Sequence, residues 1–345
     1  MTFKVIVEPS GLAFDVKPGQ NVLDAALEAD IVLPYSCRGG GCSTCKGKVL
    51  EGDYEAGEAP LHILEQDELE QGYTLMCQAV PKTDLRIESP QARLATDIQI
   101  RKMPVRVMER EQINDDVMRL LLQLPPGQPF MYYAGQYLDV LLKDGRRRSY
   151  SMANPPREDN TIELHLRHMP GGLFTDHVFG VTEPAMKERA ILRVEAPFGS
   201  FFLREESQRP MVLLASGTGF APIKALVEDM QQKNIQRPVR LYWGGRRPKD
   251  IYMMELAQQW AQELKDFAFT PVVSDALAED NWTGRTGFVH HAVMEDLPDL
   301  SGWEVYACGA PIMVESAQKD FVEKCGLDEA LFYADAFTSE ADLVS

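Results

Sequence analysis

Cys37-Arg38-Gly39-Gly40-Gly41-Cys42-Ser43-Thr44-Cys45 sets three cysteines in a C-x4-C-x2-C spacing, with three glycines between the first two. A fourth cysteine, Cys77, lies further along the chain. Glycines let the backbone curl so that its N–H groups face sulfur, which stabilises a negatively charged centre. Three cysteines within nine residues, in a chain whose opening Met-Thr-Phe-Lys-Val-Ile-Val-Glu-Pro alternates like a strand and carries no cleavable-signal pattern, argue against disulfides. Structural zinc usually takes a C-x2-4-C together with a second close pair, whereas here three ligands share one loop and the fourth arrives alone. The spacing reads as a four-thiolate [2Fe-2S] site at Cys37, Cys42, Cys45 and Cys77, a centre that moves one electron at a time at about −400 mV. Some other part of the chain must then supply electrons singly.

Working outward, 345 residues suggest two or three domains, and three is the reading adopted. Hydrophobic residues make up 45% and charged residues 25%, which suits a soluble globular protein, and no run approaches the roughly 18 apolar residues of a membrane span. The expectation is a cytoplasmic monomer. A net charge of −17 argues against nucleic acid or an anionic bilayer as partner and favours a protein with a basic docking face. Residues 1–93 hold 8 Lys+Arg against 15 Asp+Glu, so the cysteine-bearing part is more acidic than its share. Glu65, Asp67, Glu68 and Glu70 form either a solvated helix face or a surface that steers an acceptor.

In the first 90 residues, Thr2 to Val7 and Leu12 to Val16 read as a hairpin, followed by a Pro18-Gly19 turn, an Asn21 N-cap and a helix with Val22, Ala25, Ala26 and Ala29 on one face. Lys46 to Leu50 and Leu85 to Ile87 look extended. A small mixed sheet carrying one helix and this cysteine loop resembles the plant-type ferredoxin domain, which implies a β-grasp fold. Residues 90–102 read as a linker.

Short bursts of alternation follow at Pro104–Glu109, Val117–Leu124, Tyr137–Leu142, Thr161–Arg167 and Ala190–Glu195, the pattern of an antiparallel barrel. Within it stands Arg148-Ser149-Tyr150-Ser151. On a strand, Arg148 and Tyr150 share a face, so one ligand with a phosphate and a flat ring can touch both. Arg167-His168-Met169-Pro170-Gly171-Gly172-Leu173-Phe174-Thr175 ends a strand with glycines and is expected to open a helix at Thr175, whose bare N–H groups suit a pyrophosphate. Together these resemble the flavin barrel of the ferredoxin-NADP reductase superfamily, in its R-x-Y-S and G-x-x-S/T form. The resemblance implies that Arg148 binds flavin phosphate, that Tyr150 packs on the isoalloxazine ring, that Ser151 hydrogen-bonds near its N5, and that Gly171, Gly172 and Thr175 hold the pyrophosphate of FAD. His165 and His168 read as structural or solvent-facing rather than as metal ligands.

From Met211 the pattern becomes apolar strand, glycine loop, helix. Met211 to Ala215 runs into Ser216-Gly217-Thr218-Gly219-Phe220-Ala221-Pro222, a candidate pyrophosphate turn in which Pro222 stands where the usual dehydrogenase fingerprint has its third glycine. Gly217, Thr218, Gly219 and Pro222 match the superfamily's G-x-G-x-x-P. Strands at 239–243, 269–273 and 304–307 alternate with helices at 255–264 and 289–295, which predicts a parallel sheet covered on both faces. Arg246 and Arg247, at a strand end, are cations that could meet a 2′-phosphate, whereas Asp250 close by could repel one or accept from a ribose hydroxyl. The superfamily resemblance places Cys308, of Cys308-Gly309-Ala310-Pro311-Ile312-Met313, beside the nicotinamide, with Gly309 in the same turn, and implies that Phe337 covers the flavin face. Cys325 reads as a small buried hydrophobe.

The order of the three signatures, with domains expected at 1–93, 102–205 and 206–345, resembles the single-chain reductases of multicomponent oxygenases and of deoxysugar synthesis. That resemblance implies electron flow from NADH through FAD, at a site using Ser151 and Cys308, to a [2Fe-2S] cluster and on to a partner oxygenase. A deoxysugar dehydrase as acceptor, or a stand-alone flavin or quinone reductase, is the alternative. The expected fold class is multi-domain α+β and α/β.

Overall fold

Buried and exposed positions alternate along Phe3–Glu8 (β1) and Leu12–Val16 (β2), so one face of the hairpin turns inward against the helix Val22–Glu28 (α1). Asn21 starts that helix as expected: its side chain accepts from Asp24 N–H at 2.7 Å. The computed structural model describes residues 2–57, 63–94, 98–127 and 130–337. After α1 come Ile31–Val32 (β3), the cysteine loop, Lys46–Glu51 (β4), Tyr54–Glu55 (β5), Gln66–Glu70 (α2), Tyr73–Leu75 (β6), Val80–Pro81 (β7) and Leu85–Glu88 (β8). The sheet runs β2-β1-β8-β4-β6, with β1 and β8 parallel and the other pairs antiparallel. This is the mixed sheet with a helix packed on it that the sequence suggests.

The segment read as a linker is partly structured. Arg93–Leu94 (β9) pairs with β3, the Gln91 amide donates to the Ala330 and Phe332 carbonyls, and the Arg93 guanidinium lies 3.9 Å from the Phe202 ring centroid. Its polar composition hid contacts that depend on distant residues. Residues 95–97 of that stretch lie outside the described residues.

The second sheet collects Arg101–Gln112 (β10), Val117–Gln123 (β11), Tyr137–Leu141 (β12), Arg147–Ser151 (β13), Thr161–Arg167 (β14) and, after the helix Leu173–Phe179 (α3), Ile191–Phe198 (β15). Its order is β13-β12-β15-β10-β11-β14, antiparallel throughout. A bridge between Met152, just past β13, and Leu164 on β14 joins the two outer strands and closes the sheet into a barrel. Leu120, Leu122, Leu138, Val140, Ile162, Leu164 and Leu166 fill it.

The third sheet is parallel: Met211–Ser216 (β16), Phe220–Gln232 (α4), Val239–Gly245 (β17), Met254–Glu263 (α5), Phe267–Val273 (β18), Arg285–Thr286 (β19), Val289–Asp296 (α6), Glu304–Gly309 (β20), Pro311–Cys325 (α7) and Phe332–Ala336 (β21). The order β19-β18-β17-β16-β20-β21 reverses at β16, so the carboxyl ends of β16 and β20 flank a crevice of the kind where such sheets take ligands. Two apolar clusters cross between sheets. Tyr137 and Phe198 of the barrel belong to the same buried cluster as Val5 and Ile87 of the first sheet, and Cys42 of the cysteine loop is buried with Val212, Leu214 and Ala336 of the third. No helix among the described residues is long and apolar enough to cross a membrane.

Candidate functional site

The cysteine loop hangs between β3 and β4, and the tight turn after β6 returns Cys77 to it. Cys42, Cys45 and Cys77 are buried and Cys37 is half-buried. The Cys45 thiol donates to Cys77 Sγ at 3.4 Å, and the Gly39 N–H donates to Cys37 Sγ at 3.4 Å. Cys42 donates to Cys37 and lowers its pKa, while Cys42 itself is raised by that partner and by burial; Cys45 and Cys77 repeat the relationship. Gly40 takes φ +81°, and a β-carbon there would press on the Gln78 side chain at 3.3 Å; the Gln78 amide itself lies 3.8 Å from Cys77 Sγ. Four converging sulfurs with backbone donors aimed at them fit an iron–sulfide group.

On β13, Arg148 and Tyr150 are the half-buried positions of one face, as the strand reading required. Tyr150 packs its ring against Phe174 with centroids 5.6 Å apart. The glycine turn departs from expectation: α3 opens at Leu173 behind a Gly172 N-cap, two residues before Thr175. Thr175 Oγ1 is used by the turn, accepting from Met169 N–H at 3.2 Å and donating to the Met169 carbonyl at 2.9 Å. It shapes the bend that Gly171, at φ +82°, makes possible. The reason is local: a buried threonine hydroxyl in a first turn bonds the preceding loop more readily than it faces solvent. The Asp176 carboxylate takes the Gly171 N–H at 3.1 Å and His168 Nε2 at 2.9 Å, which leaves the first-turn N–H groups beyond Gly172 as anion donors. The barrel residues therefore fit a flavin phosphate and ring.

At the crevice of the parallel sheet, Gly217, Thr218 and Gly219 form one tight helical turn leading into α4, with Pro222 in the first turn of that helix. The Trp243 indole donates to the Gly217 carbonyl at 3.0 Å and its ring stacks on Phe220 at 3.7 Å. Gly309, at φ +137°, lets the β20 turn lie against Ser216, whose hydroxyl accepts from Ala310 N–H at 3.0 Å. Phe337, the last described residue, is half-buried, and its N–H donates to the Gly309 carbonyl at 2.8 Å.

The two arginines part company. Arg246 is exposed at the end of β17. Arg247 is committed elsewhere, with Nε 2.7 Å from Asp280 Oδ2 and Nη2 2.9 Å from its Oδ1. Asp250 accepts from Arg247 N–H at 2.9 Å, so it caps its own turn.

A residue given no role from sequence joins these parts. Asp335 on β21 is buried at the meeting of the three sheets. Its Oδ2 accepts from Ser151 Oγ at 3.1 Å and lies 4.0 Å from Cys308 Sγ; its Oδ1 accepts from Ser36 Oγ at 2.5 Å. Burial pushes the Asp335 carboxyl up, against the two hydroxyl donors, and burial raises the Cys308 thiol, helped by Asp335. The signal was present in Phe332-Tyr333-Ala334-Asp335-Ala336-Phe337: a lone carboxylate within a run of apolar positions has to be bonded inside.

A second buried polar group spans barrel and parallel sheet. Glu163 Oε1 meets His165 Nε2 at 2.8 Å and Lys224 Nζ at 3.4 Å, and Lys224 also donates to the Ala153 carbonyl at 3.1 Å. His165 Nδ1 is 2.8 Å from Tyr252 OH. The expectation that His165 is structural fits these contacts.

Three family models match in series: a 2Fe-2S iron-sulfur cluster binding domain over residues 5–82, an oxidoreductase FAD-binding domain over 104–203 and an oxidoreductase NAD-binding domain over 213–319. The chain is 39% identical over 337 residues to the CDP-6-deoxy-L-threo-D-glycero-4-hexulose-3-dehydrase reductase of Yersinia pestis, covering 98% of this chain and 99% of that one. It is 35% identical over 339 residues to the terephthalate 1,2-dioxygenase reductase component 1 of a Comamonas species, covering 98% of each. The crystal structure of the Amycolatopsis cytochrome P450 reductase GcoB superposes with a TM-score of 0.75 at 35% identity, over 98% of this chain and 99% of that one.

Proposed function

The chain belongs to the single-chain iron-sulfur flavoprotein reductases, members of the ferredoxin-NADP reductase superfamily with an N-terminal ferredoxin unit, and from that premise we propose that it feeds electrons from NADH to a partner oxygenase. It is an NAD(P)H-dependent oxidoreductase with FAD and a [2Fe-2S] cluster as cofactors. When bound, these groups convert a two-electron hydride into single electrons. The protein binds, orients and keeps water away.

Cys37, Cys42, Cys45 and Cys77 hold the iron, with the loop N–H groups as donors to sulfur. Arg148 holds flavin phosphate, Tyr150 walls the ring, and the first-turn N–H groups of α3 take the pyrophosphate, with Gly171, Gly172 and Thr175 shaping the turn that offers them. Ser151 is held by Asp335, whose same oxygen stands 4.0 Å from the fully buried Cys308 Sγ, so the two groups assigned to the reaction meet at one carboxylate. Gly217, Thr218, Gly219 and Pro222 admit the nucleotide pyrophosphate, Gly309 lets the β20 turn close on it, and Phe337 stands at the flavin face. Arg246 remains for the adenosine end. NADH is the preferred nucleotide because the Asp280 carboxylate already neutralises Arg247. The units carrying these roles are 1–93, 102–205 and 206–345.

The observation that carries the reading is Asp335, which gathers Ser36, Ser151 and Cys308, one from each sheet's neighbourhood, at a single buried carboxylate. A second reading, that the acceptor is a sugar dehydrase, is favoured by the 39% full-length identity to the Yersinia reductase. Reconstitution decides between them: the purified holoprotein and NADH are mixed with a ring-hydroxylating oxygenase or with a CDP-hexulose dehydrase, and product is measured. Turnover by the dehydrase and not by the oxygenase would replace the first reading with the second.

A further inference from the structure

Ser36 immediately precedes Cys37, and its surroundings come from the other two sheets. Its hydroxyl donates to Asp335 Oδ1 at 2.5 Å and lies 3.3 Å from the Ala336 carbonyl, both on β21. Its own carbonyl accepts from Tyr137 OH, on β12, at 2.7 Å. The flanking residues are fixed as well. Tyr35 N–H donates to Ser200 Oγ at 2.9 Å, and Arg38 reaches Asp139 at 2.7 Å while its guanidinium lies 4.1 Å from the Phe198 ring centroid. Ser36 is thus the place where the entry to the cysteine loop is bolted to the strand that also aims Ser151.

Asp335 has two oxygens and uses one on each side: Oδ1 holds the cysteine loop and Oδ2 holds Ser151. A carboxylate buried this deeply keeps its place only while its donors are present, because a lost partner leaves a costly unpaired acceptor. Loop position and Ser151 orientation therefore depend on one side chain. Resting on the reading above, we propose that Ser36 and Asp335 are positioning residues that lock the Cys37–Cys45 loop at a fixed distance and orientation from the Ser151 site, and so set how readily electrons pass from that site to the cluster. Ser36 touches none of the reacting groups; it acts through the backbone of Cys37.

The test compares holoproteins carrying Ser36→Ala, Asp335→Ala and both changes. Amide hydrogen exchange over residues 33–45, followed by mass spectrometry, reads loop docking without turnover. Stopped-flow absorbance with NADH separates bleaching of the flavin from bleaching of the cluster. For Ser36→Ala the expected result is faster exchange in the loop, flavin bleaching close to wild type, and cluster bleaching slowed by tenfold or more. In the double variant the loss in cluster bleaching should fall well short of the product of the two single losses, since both changes remove the same Ser36–Asp335 hydrogen bond. If Asp335→Ala does not fold, Ser36→Ala carries the exchange and stopped-flow tests alone. Loop exchange and cluster bleaching both at wild-type values in Ser36→Ala would overturn the proposal. A wild-type protein that takes up flavin and iron but is not bleached by NADH would instead overturn the function on which it rests.

Discussion

Arg247 turns its guanidinium onto Asp280 with both contacts under 3 Å, so the cation that a 2′-phosphate would seek is already paired. Glu279 stands further off, 3.4 Å from Arg247 Nη2, so replacing both Asp280 and Glu279 with alanine should free it. The expected outcome is a gain of about tenfold in kcat/KM for NADPH, the worth of roughly one charge-assisted hydrogen bond, with NADH little affected. Steady-state ferricyanide reduction with each nucleotide measures it. A wild-type kcat/KM for NADPH equal to that for NADH would remove the basis for the prediction.

Cys77→Ala should abolish the iron-sulfur absorbance while leaving flavin bound, because Cys77 comes from the turn after β6 and touches no barrel residue assigned to flavin. Iron and acid-labile sulfide assays on the purified variant check it. Full iron in that variant would show that the ligand set is wrong.

The Glu163 carboxyl is held down to about 2: burial works to raise it, and the His165 hydrogen bond together with Lys224 and Arg157 overcomes that. A depressed folded pKa means that the stabilisation is present above the ordinary value of 4.5 and is lost as pH falls toward 2. Glu163→Gln should therefore cost roughly 3 kcal/mol at pH 7. The gap between variant and wild type should narrow as pH is lowered from about 5 to about 3. Urea unfolding followed by tryptophan fluorescence at each pH is the measurement, and a pH-independent gap would show that packing, not charge, holds Glu163.

Gly309 has φ +137°, and a β-carbon there would overlap the Ser216 hydroxyl and stand 2.6 Å from the Ser216 carbonyl oxygen. Gly309→Ala should cost about 1–3 kcal/mol from backbone strain alone and raise KM for the nucleotide. A thermal melt of the holoprotein paired with steady-state kinetics reads both effects, and an unaltered melt would mean that the β20 turn relaxes freely.

The order of the three folds was legible because each carries a local signature: the cysteine spacing, the strand ending in Arg148-Ser149-Tyr150-Ser151, and Gly217-Thr218-Gly219 between an apolar strand and a helix. Contacts between those signatures were not. Nothing in local alternation says that Asp335 meets Ser36 and Ser151, since they lie 299 and 184 positions away. The linker reading of 90–102 failed in part for the same reason, because Gln91 and Arg93 are polar residues whose partners, Phe332 and Phe202, are remote. Thr175 was misplaced as a helix opener because a threonine hydroxyl serves a preceding turn as well as a cap, and sequence alone does not choose.

Tyr137 and Phe198 belong to the barrel yet are buried in the core of the first sheet. The cysteine-bearing unit is therefore not a cartridge that can be exchanged for another carrier by splicing at residue 93. A chimera with a foreign carrier, or a chain cut back to its last two units, would leave two aromatic rings in water at the seam, together with the buried Asp139 that Arg38 now meets. Exchange of the carrier would need matched changes on both sides of the seam.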